Sequence, residues 1–338
     1  MDLRGRSLLT VNDLSNEEMV YLLDLAAALK RRRRAGIRGR LLERLHIAMI
    51  FEKTSTRTRC AASVAAGDEG GWADYLSASE LHLGKKESES DTARVLGRMY
   101  DGIFFRGFRQ RTVEVFATRS GVPVWNGLTD DWHPTQALAD LMTVRERFGR
   151  LAGLKLTYLG DGRNNVARSL MLGCAKAGMV FVNCTPPELV PRPDLVDAAR
   201  EIAEQTGGAV SVVPDPAEAL PGAQVVYTDV WVSMGEEAKQ EQRIALLRPY
   251  QVTLARIRET GNLDSGEVIF LHCLPALHDE QTDATREQGA LEVTDDVFEA
   301  PFSLVFDQAE NRMHTMKAIF VATLAGVSPK DVEAECRT

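Results

Sequence analysis

The chain has 338 residues, 44% of them hydrophobic and 26% charged, and a formal net charge of -8 at pH 7. This length allows two ordinary domains, and the negative charge argues against broad nucleic-acid binding. No apolar run is long enough for a signal peptide or a membrane span. The five cysteines form no C-x-x-C pair. We therefore expect a cytoplasmic protein with reduced thiols, no zinc site, and no nucleic-acid or membrane partner.

Residues 12–29 predict the first helix. Ser15 and Glu18 have the spacing of a capping box, and the apolar residues after them recur at helical intervals. The basic block 30–34 follows. Because cations are favourable at a helix C-terminus, we expect a solvent-exposed helix end there. A targeting signal is the alternative.

The apolar run 46–51 predicts a buried strand, and the small residues 60–66 predict a helix. Between them lies the hydroxyl-rich and doubly basic stretch Ser55-Thr56-Arg57-Thr58-Arg59. The first turn of a helix has unpaired backbone N–H groups and the positive end of the helix dipole. Hydroxyl and guanidinium groups placed there favour a phosphate site. A helix cap with two solvated arginines is the other interpretation.

Two further predicted strands end in polar groups. The strand 102–107 carries Arg106 near its end, and the strand 122–127 leads through 130–132 to His133 and Gln136, before a helix over 137–147. Because ligands of parallel α/β sheets bind at the carboxyl ends of the strands, these groups are candidate anion contacts. On the polar loop 77–89, His82 and the lysines after it are compatible with simple solvent exposure.

The second half begins as a Rossmann-like unit, with a strand over 153–160 and a helix over 166–178. Asn165 occupies the third glycine position of the dinucleotide fingerprint, which disfavours a nicotinamide cofactor and favours a smaller polar ligand. Further strands end at Asp229, before a Ser-Met-Gly turn at 233–235, and at His272 and Cys273. Adjacent strand residues face opposite sides, so His272 is a poor base for Cys273.

Strands alternate with helices in both halves, which predicts an α/β protein with two doubly wound parallel-sheet domains linked by helices. We expect domains over 1–149 and 150–309. The helix after His133 would connect them, and a C-terminal helix from about 310, with Arg312 near its start, would pack back on the first domain.

These motifs resemble those of the ornithine carbamoyltransferases, within the aspartate/ornithine carbamoyltransferase superfamily. The matching stretches run in order along nearly the whole chain: Ser-Thr-Arg-Thr-Arg at 55–59, Lys-Glu-Ser at 86–88, His-Pro-Thr-Gln at 133–136, Asp-Val-Trp-Val-Ser-Met-Gly at 229–235, His-Cys-Leu-Pro at 272–275 and Glu-Asn-Arg-Met-His-Thr at 310–315. The resemblance implies transfer of the carbamoyl group of carbamoyl phosphate to the δ-amine of L-ornithine. The products are L-citrulline and phosphate, in arginine biosynthesis or the arginine deiminase pathway.

The resemblance also implies the site residues. The residues implied for carbamoyl phosphate are Ser55, Thr56, Arg57, Thr58, His82, Arg106, His133, Gln136, Cys273, Leu274 and Arg312. Among them, Arg106, His133, Cys273 and Arg312 are the implied catalytic residues. Asn165, Asp229, Ser233 and Met234 are implied for ornithine. His82 would come from a neighbouring subunit, since the family forms trimers with active sites at subunit interfaces. No metal or organic cofactor is implied.

Three other functions stay open on the residues alone. One is carbamoyl transfer to another amine, such as putrescine, lysine or a shorter diamino acid; Asp229 and the Ser-Met-Gly turn favour an α-amino acid instead. A nucleotide-dependent oxidoreductase is disfavoured by Asn165. A non-catalytic relative is disfavoured by the presence of Arg57, Arg106, His133, Cys273 and Arg312.

Overall fold

The computed structural model describes residues 1–77, 81, 83, 86–232, 240–283, 285–286 and 288–335. The chain divides into two compact units. Unit 1 comprises Met1–Met142 and Glu310–Thr338, and unit 2 comprises Thr143–Ala309. Two helices run through the points of division, so each unit is continuous with the other through helical backbone.

Helices flank the strands in both units. The α-helices of the described residues are α1 (Asn16–Arg34), α2 (Thr56–Gly67), α3 (Glu89–Leu96), α4 (Gln110–Arg119), α5 (Pro134–Phe148), α6 (Asn165–Lys176), α7 (Pro193–Thr206), α8 (Pro216–Ala219), α9 (Gln240–Leu247), α10 (Leu254–Glu259), α11 (Asp295–Phe298), α12 (Val305–Phe320) and α13 (Pro329–Glu335). The strands are β1 (His46–Phe51), β2 (Trp72–Ser77), β3 (Gly102–Arg106), β4 (Val124–Leu128), β5 (Lys155–Leu159), β6 (Val180–Cys184), β7 (Ala209–Val213), β8 (Val225–Thr228) and β9 (Ile269–His272).

Unit 1 contains a parallel four-stranded sheet in the order β2-β1-β3-β4. The central strands are apolar because both of their faces are covered; β3 is buried along its whole length. Phe105 of β3 stacks on Phe116 of α4, with ring centroids 5.7 Å apart. The strand order reverses direction between β1 and β3. Ligands of open α/β sheets bind at such a switch point, so the segments after β1 and β3 are where a site is expected.

Unit 2 contains a parallel five-stranded sheet in the order β7-β6-β5-β8-β9. Here the order reverses between β5 and β8, so the segments after these two strands lie at the second switch point. Two parallel-sheet α/β domains were predicted from the alternation of strands and helices, and this fold class is confirmed.

The boundaries of two N-terminal helices differ from the prediction. Ser15 caps α1 in a capping box with Glu18, as predicted, but residues 11–13 form a separate 3₁₀ turn and α1 itself begins at Asn16. Helix α2 begins at Thr56, earlier than the small-residue run indicated, because the Ser55 side chain caps it. The hydroxyl-rich stretch is therefore the first helical turn rather than a loop before the helix.

The expectation of a solvent-exposed basic block at 30–34 is wrong for two of its members. The block is the last turn of α1, and Lys30 and Arg32 are buried. Lys30 Nζ donates to Asn311 Oδ1 at 2.7 Å, and Arg32 forms an ion pair with Glu69. The prediction failed because it weighed only the helix end, whereas the fold brings polar partners from α12 and from the end of α2 against this turn.

No helix within the described ranges is long and apolar enough to cross a membrane. Within the described residues, no disulfide joins Cys60, Cys174, Cys184 or Cys273, and Cys336 lies outside these residues.

Arginine 32 offers a test of the buried ion pair. Replacing Arg32 leaves the buried Glu69 carboxylate with Lys317, 3.9 Å away, as a more distant cationic neighbour, so Arg32→Met is expected to lower the free energy of unfolding by about 3 kcal/mol. The matched control is Arg31→Met: Arg31 is 61% exposed and pairs with Glu333 at 2.6 Å. Loss of an exposed pair costs at most about 1 kcal/mol. Denaturant unfolding of both variants measures the difference, and equal destabilisation would contradict the assignment.

Candidate functional site

The first turn of α2 presents hydroxyl groups and backbone donors at the end of β1. Ser55 is the N-cap, and its Oγ accepts from the Thr58 N–H at 3.2 Å. Thr56 is exposed and Arg57 half-buried, whereas Thr58 is fully buried. The cap fixes the start of the helix directly after the strand, which orients its N–H groups and positive dipole end toward the sheet edge.

Two buried arginines converge on the Thr58 hydroxyl. Arg106 Nη1 donates to Thr58 Oγ1 at 3.3 Å from the end of β3, and Arg312 Nη2 donates to the same oxygen at 3.0 Å from α12. Both arginines are less than 10% exposed. A hydroxyl that accepts two hydrogen bonds keeps its own hydrogen for a further acceptor. This arrangement is suited to an anionic oxygen.

His133 lies beside the same cations, immediately before α5. It is 3% exposed, and burial together with the charges of Arg312, Arg106 and Arg57 lowers its pKa well below 6.5. Its ring is therefore neutral at physiological pH. The Thr135 hydroxyl lies 3.4 Å from His133 Nδ1. If Thr135 is the donor in this contact, the imidazole proton is on Nε2.

Gln136 is oriented by a neighbour on its own helix. Its Nε2 donates to Asp140 Oδ1 at 2.7 Å, one turn further along α5, and both residues are buried. Among the described residues, Gln136 Oε1 is buried without a hydrogen-bond partner. Buried carbonyl oxygens are usually satisfied, so this atom is a candidate acceptor for an N–H group of a bound molecule.

Glu52 and Lys53 connect the segments that carry these groups. The Glu52 carboxylate accepts from the Phe108 N–H at 3.0 Å, and its own N–H donates to the Arg106 carbonyl oxygen at 2.8 Å. Lys53 is 6% exposed and pairs with Asp130, in the segment that leads to His133. The ends of β1, β3 and β4 are thus joined by side chains that follow β1.

In unit 2, the turn after β5 presents Asn165 at the start of α6. Asp161 Oδ1 accepts from the Arg163 N–H at 2.9 Å, and Asn164 Oδ1 caps the helix at Val166 N. Asp161 also forms a buried ion pair with Arg243, whose Nε donates to the Trp231 carbonyl oxygen at 2.7 Å. The turn is therefore tied to the segment that follows β8.

Asp229 directly follows β8 and is 5% exposed. Its Oδ1 accepts from the Cys273 thiol at 3.0 Å and from the Val230 N–H at 2.8 Å. Burial raises the pKa of Asp229, while His272 and the hydrogen bond from Cys273 oppose this rise. The geometry pairs Cys273 with a carboxylate, which orients the thiol.

His272 supports the backbone of the next residues. Its Nδ1 accepts from the Leu274 N–H at 2.9 Å, and its Nε2 lies 3.3 Å from the buried carboxylate of Glu292. Leu274 has a φ of 58°, a backbone conformation that residues other than glycine rarely adopt. The imidazole therefore holds a strained residue immediately beside Cys273, and such residues are frequent in functional sites.

The described residues contain two groups with enough side-chain donors for a metal ion. Asp229, His272 and Cys273 have donor atoms within 4.8 Å of one another, and so do His278, Asp295 and Glu299. In the first group, the Cys273 thiol donates to Asp229 and His272 contacts Leu274 and Glu292. The side chains of this first group thus contact other protein groups.

The structure brings the predicted residues together in two sets. Thr58, Arg106 and Arg312 are joined by hydrogen bonds in unit 1, with His133 and Arg57 close enough to interact electrostatically. In unit 2, Asp229 and Cys273 are hydrogen-bonded, and Leu274 follows Cys273. Asn165 lies at the other side of the switch point, after β5. Three predicted residues, His82, Ser233 and Met234, lie outside the described ranges.

Two family models match the chain. The carbamoyl-P binding domain of aspartate/ornithine carbamoyltransferase matches residues 6–146, and the Asp/Orn binding domain matches residues 152–323. The chain belongs to the aspartate/ornithine carbamoyltransferase family. The resemblance predicted from the motifs is thereby confirmed.

Individual relatives of this family are similar over almost the entire chain. A catabolic ornithine carbamoyltransferase from Bacillus licheniformis is 56% identical over 330 residues, covering 96% of this chain and 98% of that protein. An ornithine carbamoyltransferase from Thermotoga petrophila is 54% identical, with 96% and 99% covered. The structure of ornithine carbamoyltransferase from Pyrococcus furiosus has a TM-score of 0.89 at 42% identity and covers 97% of this chain and 100% of that one.

Several supporting residues were missed from the sequence. Asp140 lies four residues after Gln136, so helical spacing could have indicated this pair. Arg243 and Glu292 have no comparable local signal, because their partners Asp161 and His272 lie 82 and 20 positions away in the chain. Only the folded structure reveals that these two residues support Asp161 and His272 in unit 2.

The lowered pKa of His133 predicts how stability depends on pH. Below pH 6.5 an unfolded histidine binds a proton that the folded His133 does not bind, so acidification favours unfolding. This group contributes about 1.4 kcal/mol per pH unit between 6.5 and its folded pKa. We expect the thermal midpoint of His133→Asn to fall less than that of the wild type between pH 7 and pH 5.5.

The stability of His133→Asn is still expected to fall as the pH is lowered. Burial also lowers the pKa of His314, to about 4, which contributes with the same sign. A His133→Asn protein whose stability falls as steeply as that of the wild type would contradict a neutral, buried His133.

Proposed function

We propose that this chain is an ornithine carbamoyltransferase, which transfers the carbamoyl group of carbamoyl phosphate to the δ-amine of L-ornithine and releases citrulline and phosphate. The observation that carries the proposal is the convergence of Arg106 and Arg312 on Thr58, at a helix start and beside a neutral His133. The names of the relatives that are 54–56% identical support the choice of amine.

Unit 1 is proposed to bind the donor. A phosphate dianion is matched by the N–H groups of the first turn of α2, the Ser55 and Thr56 hydroxyls and the Arg57 guanidinium. The carbamoyl end would lie toward Arg106, His133 and Gln136. Gln136 Oε1 could accept from the carbamoyl amide group, because Asp140 fixes the Gln136 side chain with its oxygen directed away from Asp140.

Catalysis would come from stabilising the charge that develops on the carbonyl oxygen. As the amine attacks, this oxygen becomes negative in the tetrahedral intermediate. Arg106, the Thr58 hydroxyl and, with Thr135 donating to Nδ1, the protonated Nε2 of neutral His133 would be donors that burial has already desolvated and fixed, as in an oxyanion hole. Arg312, on the same hydroxyl, would add positive charge to the developing anion.

Unit 2 is proposed to bind the acceptor. A carboxylate favours the charged form of a neighbouring amine, so Asp229 fits the ornithine α-ammonium group rather than the attacking amine. Asn165, with Ser233 and Met234, would complete this set. Cys273 and Leu274 are proposed to lie against the reacting carbon, with the Cys273 thiol acting as a positioning group rather than as a covalent nucleophile.

The reaction balances without a cofactor. The neutral δ-amine forms a C–N bond with the carbamoyl carbon, and the C–O bond to phosphate breaks with its electron pair leaving on the phosphate oxygen. The proton that the amine loses ends on the released phosphate. Phosphate is a good leaving group, so the main requirement on the protein is charge stabilisation and alignment.

The wider properties of the protein are proposed from the family resemblance alone. They are a cytoplasmic location, a role in arginine metabolism, and a homotrimer in which His82 of one subunit serves the site of its neighbour. The proposed domains are 1–149 for carbamoyl phosphate, with the C-terminal segment from about 310, and 150–309 for ornithine.

The choice of amine is tested by a colorimetric assay for carbamoylated product. Purified protein with carbamoyl phosphate is given L-ornithine, L-lysine, 2,4-diaminobutyrate, putrescine or L-aspartate. We expect citrulline from ornithine at a rate far above that of the other products. Faster reaction with putrescine would instead support the alternative diamine function, and no product from any amine would overturn the proposal.

Arg106 is expected to be essential for the chemical step. Loss of one oxyanion donor lowers kcat by about 10² to 10³, so Arg106→Ala should lose activity on that scale and remain folded by circular dichroism. The matched control is Arg109→Ala, since Arg109 is 76% exposed and pairs with Glu89 at 3.4 Å. Near-normal turnover of a folded Arg106→Ala protein would remove this arginine from the scheme.

A further inference from the structure

The last turn of α1 holds α12 at the residues that adjoin Arg312. Lys30 is 4% exposed and Asn311 is fully buried, and their side chains are 2.7 Å apart. Arg34 pairs with Glu310 at 3.5 Å, on the exposed side of the same contact. Lys30 therefore provides a buried link from the basic residues 30–34 to the helix that carries Arg312.

A second buried lysine joins α12 to the other end of α2. Lys317 is 1% exposed, and its Nζ lies 2.6 Å from Asp68 Oδ2 and 3.9 Å from Glu69 Oε1. Asp68 and Glu69 directly follow α2, whereas Thr58 lies in its first turn. The two residues of α12, Arg312 and Lys317, thus contact opposite ends of the same helix.

The geometry of these contacts constrains where the Arg312 guanidinium can lie. Arg312 and Lys317 are five residues apart, about 7.5 Å along a helix, and Thr58 and Asp68 are separated by about 15 Å. The side chains of Arg312 and Lys317 must together bridge the remaining distance of about 7.5 Å. A shift of α12 along the axis of α2 would therefore lengthen one of the two contacts. Lys30, bound to Asn311, contacts the middle of α12 from a third helix.

Resting on the proposed function, we propose that Lys30 and Lys317 are positioning residues for Arg312, which hold α12 so that its guanidinium meets Thr58 in the carbamoyl-phosphate site. The basic turn of α1 then has a part in anion binding without touching the anion. Lys30 of α1 binds Asn311 of α12, and Lys317 of α12 binds Asp68, which directly follows α2.

A double-mutant cycle tests this proposal. Affinity for carbamoyl phosphate is measured by calorimetry for the wild type, Lys30→Met, Arg312→Ala and the double variant. A small displacement of a binding group has large effects, so Lys30→Met is expected to weaken binding about tenfold. If Lys30 acts through Arg312, the same change has little further effect in the Arg312→Ala background. The Lys317→Met cycle is expected to behave in the same way.

The control is Arg34→Met, which removes an exposed contact to the same helix and should leave affinity within about twofold of the wild type. Equal weakening by Lys30→Met in both backgrounds, or no weakening, would overturn the positioning role. If Lys30→Met does not fold, Lys30→Gln replaces it; failure of both to fold would also overturn the proposal, in favour of a purely structural lysine. Absence of heat with the wild type would instead count against the proposed function.

Discussion

The arrangement in unit 1 depends on one hydroxyl group that accepts from two arginines. Thr58 Oγ1 is reached by Arg106 from the end of β3 and by Arg312 from α12, although these residues are 48 and 254 positions away in the chain. Placing like charges close together in a buried position costs free energy, and a bound anion lowers this free-energy cost. The electrostatics of this candidate site are thus suited to a ligand that carries negative charge.

The same electrostatics determine what His133 can do. Burial and then three guanidinium groups lower the pKa of His133, so the imidazole remains neutral and offers a donor without adding charge. A neutral donor suits a carbonyl oxygen that is uncharged in the ground state and negative only in the intermediate. Unit 2 shows the complementary environment: the buried carboxylate Asp229, with a thiol as its neighbour, suits a cationic group.

The fold and part of the site could be predicted from the sequence because both have local signals. Runs of apolar residues predicted the strands. The polar residues at the ends of these runs predicted which side chains lie after β1 and at the end of β3. The prediction of solvent exposure failed where a partner distant in the chain allows a charged side chain to be buried. Lys30 and Arg32 look like solvated cations in sequence, yet Asn311 and Glu69, which are distant in the chain, satisfy them in the interior. Arg312 likewise has no local feature that connects it with Thr58.

Both units place some of their candidate residues where the order of the parallel strands reverses. In unit 1 these positions follow β1 and β3, and in unit 2 they follow β5 and β8. At such a point neighbouring crossover helices lie on opposite faces of the sheet, which opens a crevice at the strand ends. The two units therefore share this reversal of strand order but carry side chains of opposite charge near it. In unit 1 a helix start follows β1 and Arg106 ends β3, whereas in unit 2 Asp229 follows β8 and accepts from the thiol of Cys273. These opposite charges match a reaction between an anionic donor and a cationic amino acid.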